Sequence, residues 1–111
     1  MSGPDREAYV EAVLQVVEQV PPGRVLSYGD VAELVGWGGP RQVGQVMARH
    51  GAAVCWWRVV RADGSPARGH EERALALLVA EGTPVRGSRV VMRTARASVL
   101  AAPSPVESDV P

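Results

Sequence analysis

The chain carries few of the side chains that perform covalent chemistry. Its one cysteine, Cys55, begins the run Cys-Trp-Trp-Arg-Val-Val at residues 55–60, and its two histidines, His50 and His70, are far apart. A thiol needs a nearby base or cation to become a reactive thiolate near neutral pH. The sequence has no Cys-x-x-Cys or His-x-x-x-His pair and no glycine-rich loop followed by lysine. We therefore expect no metal site, no phosphate-binding loop and no cofactor.

Length and composition indicate one small globular domain. The chain has 111 residues, of which 46% are hydrophobic and 22% charged, and a chain of this size builds one modest core. A single cysteine excludes an internal disulfide and fits a reducing compartment. No apolar run is long enough to span a membrane and no secretory signal is present, so the expected location is the cytoplasm, associated with the nucleoid in a bacterium.

The net charge of zero is unevenly distributed. Residues 1–20 carry a net charge of −3, whereas residues 21–100 hold eleven arginines and six acidic residues, a net charge of +5. A basic middle segment is compatible with a polyanionic partner such as DNA.

The elements that must position these residues can be predicted from periodicity and caps. A first helix begins near Pro4 and ends before Pro21, and a second follows Ser27, which can form a capping box with Asp30. A third helix begins at Pro40 after a glycine-rich turn, so the second and third helices predict a helix-turn-helix. The remaining predicted elements are a buried strand at residues 53–60, a helix at residues 71–80 and a short strand at residues 89–92.

Three segments in this order resemble the DNA-binding domain of O6-alkylguanine-DNA alkyltransferases. They are Gly-Arg-Val-Leu-Ser-Tyr-Gly-Asp-Val-Ala at residues 23–32, Arg-Gln-Val-Gly-Gln-Val-Met at 41–47 and Trp-Trp-Arg-Val-Val at 56–60. The resemblance implies a small α/β domain with a winged helix-turn-helix core. We assign residues 1–93 to this domain and expect residues 94–111, rich in Ala, Ser and Pro, to form a disordered tail.

One departure from the family is informative. The family's active segment reads Pro-Cys-His-Arg-Val, and aligning it on Arg58 and Val59 places Trp56 at the acceptor cysteine and Trp57 at the activating histidine. The chain therefore resembles the alkyltransferase-like branch, whose members bind alkylated guanine without repairing it and flag it for nucleotide excision repair. This implies no catalytic residue and no enzymatic activity. The implied partners are double-stranded DNA containing alkylated guanine and nucleotide excision repair proteins, and we expect a monomer with no membrane partner.

The resemblance also implies roles for individual residues. The third helix would lie in the minor groove, Tyr28 would rotate the target phosphate, and Arg41 would fill the gap left by the flipped base. Arg58 would have a structural role, Trp57 would pack behind Trp56, and Arg61 or Arg68 would substitute for a family arginine whose position Asp63 takes. The implied DNA-binding residues are Ser27, Tyr28, Arg41, Gln42, Gly44, Gln45 and Ala48. The implied lesion pocket consists of Tyr28, Trp56, Arg58, Val59, Arg61 and Asp63.

Two alternatives remain at this point. A winged-helix regulator would read the major groove and prefer one DNA sequence over others. A residual alkyltransferase would use Cys55, which on a strand faces away from the acceptor position unless the register slips by one residue.

Overall fold

The computed structural model describes the backbone of residues 3–97 and the side chains of residues 6–97. Five helices and four short strands form one domain, in which strands β1 and β2 pair in parallel and strands β3 and β4 pair antiparallel. The helices are α1 (Gly3–Glu18), α2 (Tyr28–Val35), α3 (Pro40–His50), α4 (Glu71–Ala80) and α5 (Met92–Ala95). The strands are β1 (Leu26–Ser27), β2 (Val59–Val60), β3 (Val85–Arg86) and β4 (Arg89–Val90). None of the helices in this part of the chain is long and apolar enough to cross a membrane.

The predicted helix-turn-helix is confirmed. Ser27 Oγ accepts a hydrogen bond from Asp30 N at 3.0 Å, and Asp30 Oδ2 accepts one from Ser27 N at 3.0 Å, which completes the capping box of α2. Gly36, at φ +96°, ends this helix in the left-handed conformation that glycine adopts at low cost. Helix α3 then begins with Pro40 at a first-turn position and buries Val43 against α1 and α2.

The predicted strand at residues 53–60 is wrong for all but its last two residues. Residues 51–53 and 56–58 form short 3₁₀ helices, and only Val59 and Val60 pair with β1. In the parallel register that pairs Leu26 with Val59, residues 53–58 would have to pair with residues 20–25. That segment is not available, because Arg24 N bonds to Pro21 O in a turn and Val25 bonds to Ala95 and Ala97. The preceding segment makes local hydrogen bonds instead, such as Arg58 N to Cys55 O at 3.1 Å. Cys55 is therefore not part of a strand, and the alternation of side chains along a strand does not apply to the direction of its thiol.

The folded domain extends past the predicted boundary at residue 93. Ala95 and Ala97 are buried, and Val25 bonds to both, through Val25 N to Ala95 O at 2.9 Å and Ala97 N to Val25 O at 2.7 Å. Between them, Arg96 Nε donates to Asp30 Oδ2 at 3.0 Å. Residues 98–111, the rest of the predicted tail, lie outside the described residues. The strand predicted at residues 89–92 is shorter than expected, because Met92 begins α5.

Strands β1 and β2 stand between two hydrophobic clusters. Leu26 and Val59 belong to the larger one, which α1, α2 and α3 complete, whereas Val25 and Val60 belong to the smaller one with Leu78. Successive residues of a strand face opposite ways, so this short pair joins the helix-turn-helix to α4 and the C-terminal hairpin. The segment containing Trp56 and Trp57 is thereby held at the junction of the two clusters.

Candidate nucleic-acid interface

A cavity of about 450 Å³ lies against one flank of α3, within the size range of ligand sites. Its lining combines aromatic rings, small residues that leave the space open, and basic side chains. These residues are Tyr28, Gly44, Met47, Ala48, Gly51, Ala52, Trp56, Ala67, Arg68, His70 and Arg73. We refer to this site as the aromatic cavity. A planar, partly apolar group with a negatively charged backbone would find complementary surfaces here.

Tyr28 reaches the cavity because it is the first residue of α2. Its neighbour Ser27 is held both by the capping box and by pairing with Val60, which sets the direction of the Tyr28 side chain. The ring is half-buried. Burial raises the pKa of the Tyr28 phenol above its usual value, and the nearby Arg61 opposes this effect. The phenol is therefore neutral near neutral pH, so the ring can approach a phosphate without charge repulsion.

Trp56 forms a wall of the cavity from the 3₁₀ turn. Its ring meets His70 edge-on, with centroids 5.7 Å apart, and Arg73 Cζ lies 5.8 Å from its centroid. Trp56 also packs against the end of α3, because a Cβ at Gly51 would be in van der Waals contact with Trp56 Cβ at 3.5 Å. The wall is thus fixed by contacts on several sides, which favours a preformed site.

Trp57 and Arg58 support this wall from behind. The two tryptophan rings are nearly perpendicular, with centroids 5.8 Å apart, and Trp57 packs against the smaller hydrophobic cluster. Arg58 donates to both carboxylate oxygens of Glu81, with Nε–Oε1 at 3.0 Å, and to Val20 O at 2.8 Å. These hydrogen bonds hold the pKa of Glu81 below its usual value. Arg58 therefore has the structural role inferred from the sequence and lies outside the cavity lining.

Three more residues assigned to the lesion pocket also lie outside the lining. Val59 is fully buried in β2. Arg61 Nε donates to Pro66 O at 3.2 Å, and Asp63 Oδ1 accepts from Ser65 N at 2.9 Å, so both stabilise the loop that follows β2. Of the two arginines considered as replacements for the family's loop arginine, Arg68 lines the cavity and Arg61 does not.

The exposed face of α3 forms a narrow ridge. Arg41, Gln45 and Ala48 are exposed and succeed one another at helical spacing. Beside them, Gly44 has no atom within 4 Å of the place where a Cβ would be. Gln42 is exposed as well, but its Oε1 accepts from Gly39 N at 2.9 Å. Small residues keep the ridge slim, as entry into the narrow minor groove of DNA requires.

Ser27 is the one predicted DNA-binding residue that the structure buries. Its side chain accepts the hydrogen bond that caps α2, and the residue is 4% exposed. Its contribution to the interface is therefore indirect, through the position of Tyr28.

Sequence reasoning did not assign His70 and Arg73 to the pocket. The two residues are three positions apart at the start of α4, a spacing that places them on one side of the helix. That spacing predicts a shared face, but not that the face meets Trp56. Cys55 is next to Trp56 in sequence but does not line the cavity. Its Sγ instead donates a hydrogen bond to Val17 O at 3.4 Å.

Solved structures similar to this one contain DNA. The structure of S. pombe Atl1 in complex with damaged DNA containing O6-carboxymethylguanine matches with a TM-score of 0.74 and 26% identity, over 87% of this chain and 98% of that chain. A second S. pombe ATL structure in complex with DNA matches with a TM-score of 0.71 and 28% identity, over the same shares.

Related sequences agree with this likeness. The DNA base-flipping protein of Escherichia coli K12 is 39% identical over 87 residues, 74% of this chain and 67% of the relative. The DNA base-flipping protein of Vibrio parahaemolyticus is 30% identical over 84 residues, 71% and 84% of the two chains. The family model for the DNA-binding domain of 6-O-methylguanine DNA methyltransferase matches residues 8–83. The chain therefore belongs to the family of the 6-O-methylguanine DNA methyltransferase DNA-binding domain.

Proposed function

We propose that this protein recognises O6-alkylguanine in double-stranded DNA by flipping the damaged nucleotide into the aromatic cavity, and that it releases the nucleotide unaltered. The observation that carries the proposal is the position of the cavity. It lies beside the slim exposed ridge of α3 and is walled by Tyr28 and Trp56. A helix placed in the minor groove therefore has the pocket for an extruded base at its flank.

Base flipping needs more than a pocket, since leaving the base stack costs a few kcal/mol. Arg41 lies in the first turn of α3 on the exposed ridge, where it can occupy the vacated space. Tyr28 lies at the cavity, where its ring can press on the rotating phosphate. An apolar wall at Trp56 tolerates alkyl groups on the base. The similarity to proteins named DNA base-flipping protein supports base flipping as the mode of recognition.

The environment of the single cysteine supports recognition without alkyl transfer. Trp56 stands at the cavity, whereas the Cys55 thiol is directed to the Val17 carbonyl of α1. The thiol therefore lies outside the lining of the cavity that would receive a flipped base. The proposal includes the further steps inferred from the sequence, namely action as a monomer in the cytoplasm and handover of the lesion to nucleotide excision repair proteins.

The decisive experiment compares two duplexes that differ only in one O6-methylguanine. We expect tighter binding of the damaged duplex in a gel-shift titration, and the same preference when the flanking sequence is changed. Trp56→Ala is expected to reduce this preference because the cavity loses an apolar wall. Trp56→Phe is the matched control, because it keeps an aromatic wall and is expected to keep most of the preference.

Two results would contradict the proposal. Binding that follows flanking sequence and ignores the lesion would favour a winged-helix regulator. A mass increase of one methyl group on the intact chain after incubation with damaged DNA, located on Cys55 by peptide mapping, would identify an alkyltransferase.

A further inference from the structure

The flank of α3 opposite the aromatic cavity carries a second concave site. This groove has a volume of about 380 Å³ and lies between α1 and α3. Its polar lining residues are Arg6, Gln42, Gln45, Arg49 and His50, and its apolar part comes from Tyr9 and Val10 of α1 and Val46 of α3. We refer to it as the α1–α3 groove.

The chemistry of the groove fits an anion. Arg6 and Arg49 are exposed, and among the side chains that the structure describes neither forms an ion pair. Gln42 Oε1 is occupied by the backbone N–H of Gly39, which leaves the amide NH₂ of Gln42 as its free donor group. No carboxylate is found among the described residues of the lining.

The shape of the groove fits an extended ligand better than a single ion. Gln42 and Arg49 are seven residues apart on α3, which corresponds to about 10 Å along the helix axis. One strand of DNA advances about 3.4 Å per nucleotide, so the length of the α1–α3 groove matches about three nucleotides of one strand. A row of backbone phosphates has this length and charge.

Helical geometry assigns the groove to one strand. At about 100° per residue, Gly44 falls on one side of the exposed ridge, whereas Gln42 and Arg49 fall on the other. The minor groove is about 6 Å wide and a helix with its side chains about 10–12 Å. The two flanks of α3 must therefore meet the two backbones, and the flank with the aromatic cavity faces the strand whose nucleotide is flipped.

We infer that the α1–α3 groove binds the backbone phosphates of the strand opposite the lesion, through Arg6 and Arg49. This inference rests on the proposed function for the choice of strand. In this arrangement one flank of α3 holds the undamaged strand in place while the other receives the extruded nucleotide. The groove supplies affinity that is independent of the lesion.

The test uses the double variant Arg6→Gln/Arg49→Gln, with Arg86→Gln as the matched control, because Arg86 is exposed on β3 and lines neither site. Both groove arginines are exposed, so we expect thermal unfolding midpoints close to wild type. Affinity for damaged and undamaged duplexes is measured over a range of salt concentrations. We expect the double variant to lower the salt slope by about two and to weaken both complexes equally, whereas the control keeps the wild-type slope.

Methylphosphonate linkages, which carry no charge, identify the strand. Three consecutive linkages opposite the lesion are expected to weaken wild-type binding and to have little further effect on the double variant. The same linkages in the damaged strand should weaken both proteins equally. A double variant with the wild-type salt slope, or one that loses its sensitivity to the damaged strand instead, would overturn the inference. A wild-type protein without lesion preference would refute the proposed function, while the salt slopes would still decide whether the groove contacts phosphate.

Discussion

The two flanks of α3 are built from the same eleven-residue helix and yet differ in kind. On the flank of the aromatic cavity, Gly44 and Ala48 leave space that Trp56 and Tyr28 enclose. On the flank of the α1–α3 groove, Gln42 and Arg49 extend into solvent beside α1. We propose that the first surface selects its ligand through shape and that the second attracts DNA through charge. Because a helix turns by about 100° per residue, residues close in sequence can serve these two purposes separately, and each flank can be altered without the other.

Of the variants considered, Tyr28→Ala, on the flank of the aromatic cavity, is expected to lower lesion affinity most. Removing the ring takes away the group proposed to press on the rotating phosphate and also opens a wall of the cavity. Flipping costs a few kcal/mol, so lesion affinity should fall on the order of 100-fold. Fluorescence of 2-aminopurine placed at the target position reports flipping directly.

Tyr28→Phe separates the bulk of the ring from its hydroxyl. We expect a mild effect, since the neutral phenol acts through its size. If Tyr28→Ala left the 2-aminopurine fluorescence unchanged, Tyr28 would have no role in flipping and would contribute only to packing.

Arg41→Ala tests the ridge between the two flanks. If its side chain fills the space left by the flipped base, lesion binding should weaken by about 1–3 kcal/mol. Arg86→Ala is the control for loss of one exposed positive charge; Arg96 is unsuitable because it pairs with Asp30 of the α2 cap. Equal losses in a quantitative binding titration of Arg41→Ala and Arg86→Ala would indicate general charge attraction.

Gly44→Ala separates folding from binding, because it should raise the stability of the free protein and lower its affinity for DNA. A Cβ at Gly44 meets no atom within 4 Å, and alanine is favoured over glycine inside a helix by about 0.5–1 kcal/mol. The unfolding midpoint of the free protein should rise. DNA affinity should fall several-fold, since the methyl group widens the ridge that enters a minor groove only about 6 Å wide. Unchanged affinity would mean that the ridge does not enter a narrow groove.

Glu81→Gln tests the support behind the cavity and should have the smallest effect on DNA binding. Because the hydrogen bonds from Arg58 lower the pKa of Glu81 in the folded state, its stabilising contribution is present above the unfolded pKa of about 4.3 and is lost as pH falls through the folded value. Thermal unfolding between about pH 6 and pH 3 should show a difference between wild type and variant that shrinks toward acid.

Glu72→Gln, at an exposed glutamate of α4, is the matched control for this series. Its difference from wild type should be smaller at every pH. A Glu81→Gln curve parallel to wild type over the whole range would contradict the role of the Arg58–Glu81 pair. The salt slope of DNA binding should be unchanged, because this pair does not contribute to the α1–α3 groove.

The sequence identified the recognition elements because their signals are local. The cap of α2 needs only Ser27 and Asp30. The glycine turn followed by Pro40 predicts the start of α3. Helix α4 was predicted over residues 71–80 and is observed over the same residues. The positions of Tyr28 and Trp56 at one cavity were also anticipated, although through family resemblance and not from periodicity.

Only the tertiary structure decided which residues share a site. Arg61 and Asp63 follow Trp56 closely in sequence, but they bond within their own loop and do not line the cavity, whereas His70 and Arg73 reach it from the start of α4. The 3₁₀ turns within residues 51–58 replace the expected strand because residues 20–25, which would be its parallel partner, form a turn and bond to the C-terminal segment. The same bonds from Val25 extend the domain to Ala97. Caps and helical periods depend on residues within one or two turns, so a sequence displays them. Pairing partners, cavity walls and domain ends depend on contacts between distant segments, and these exist only once the chain has folded.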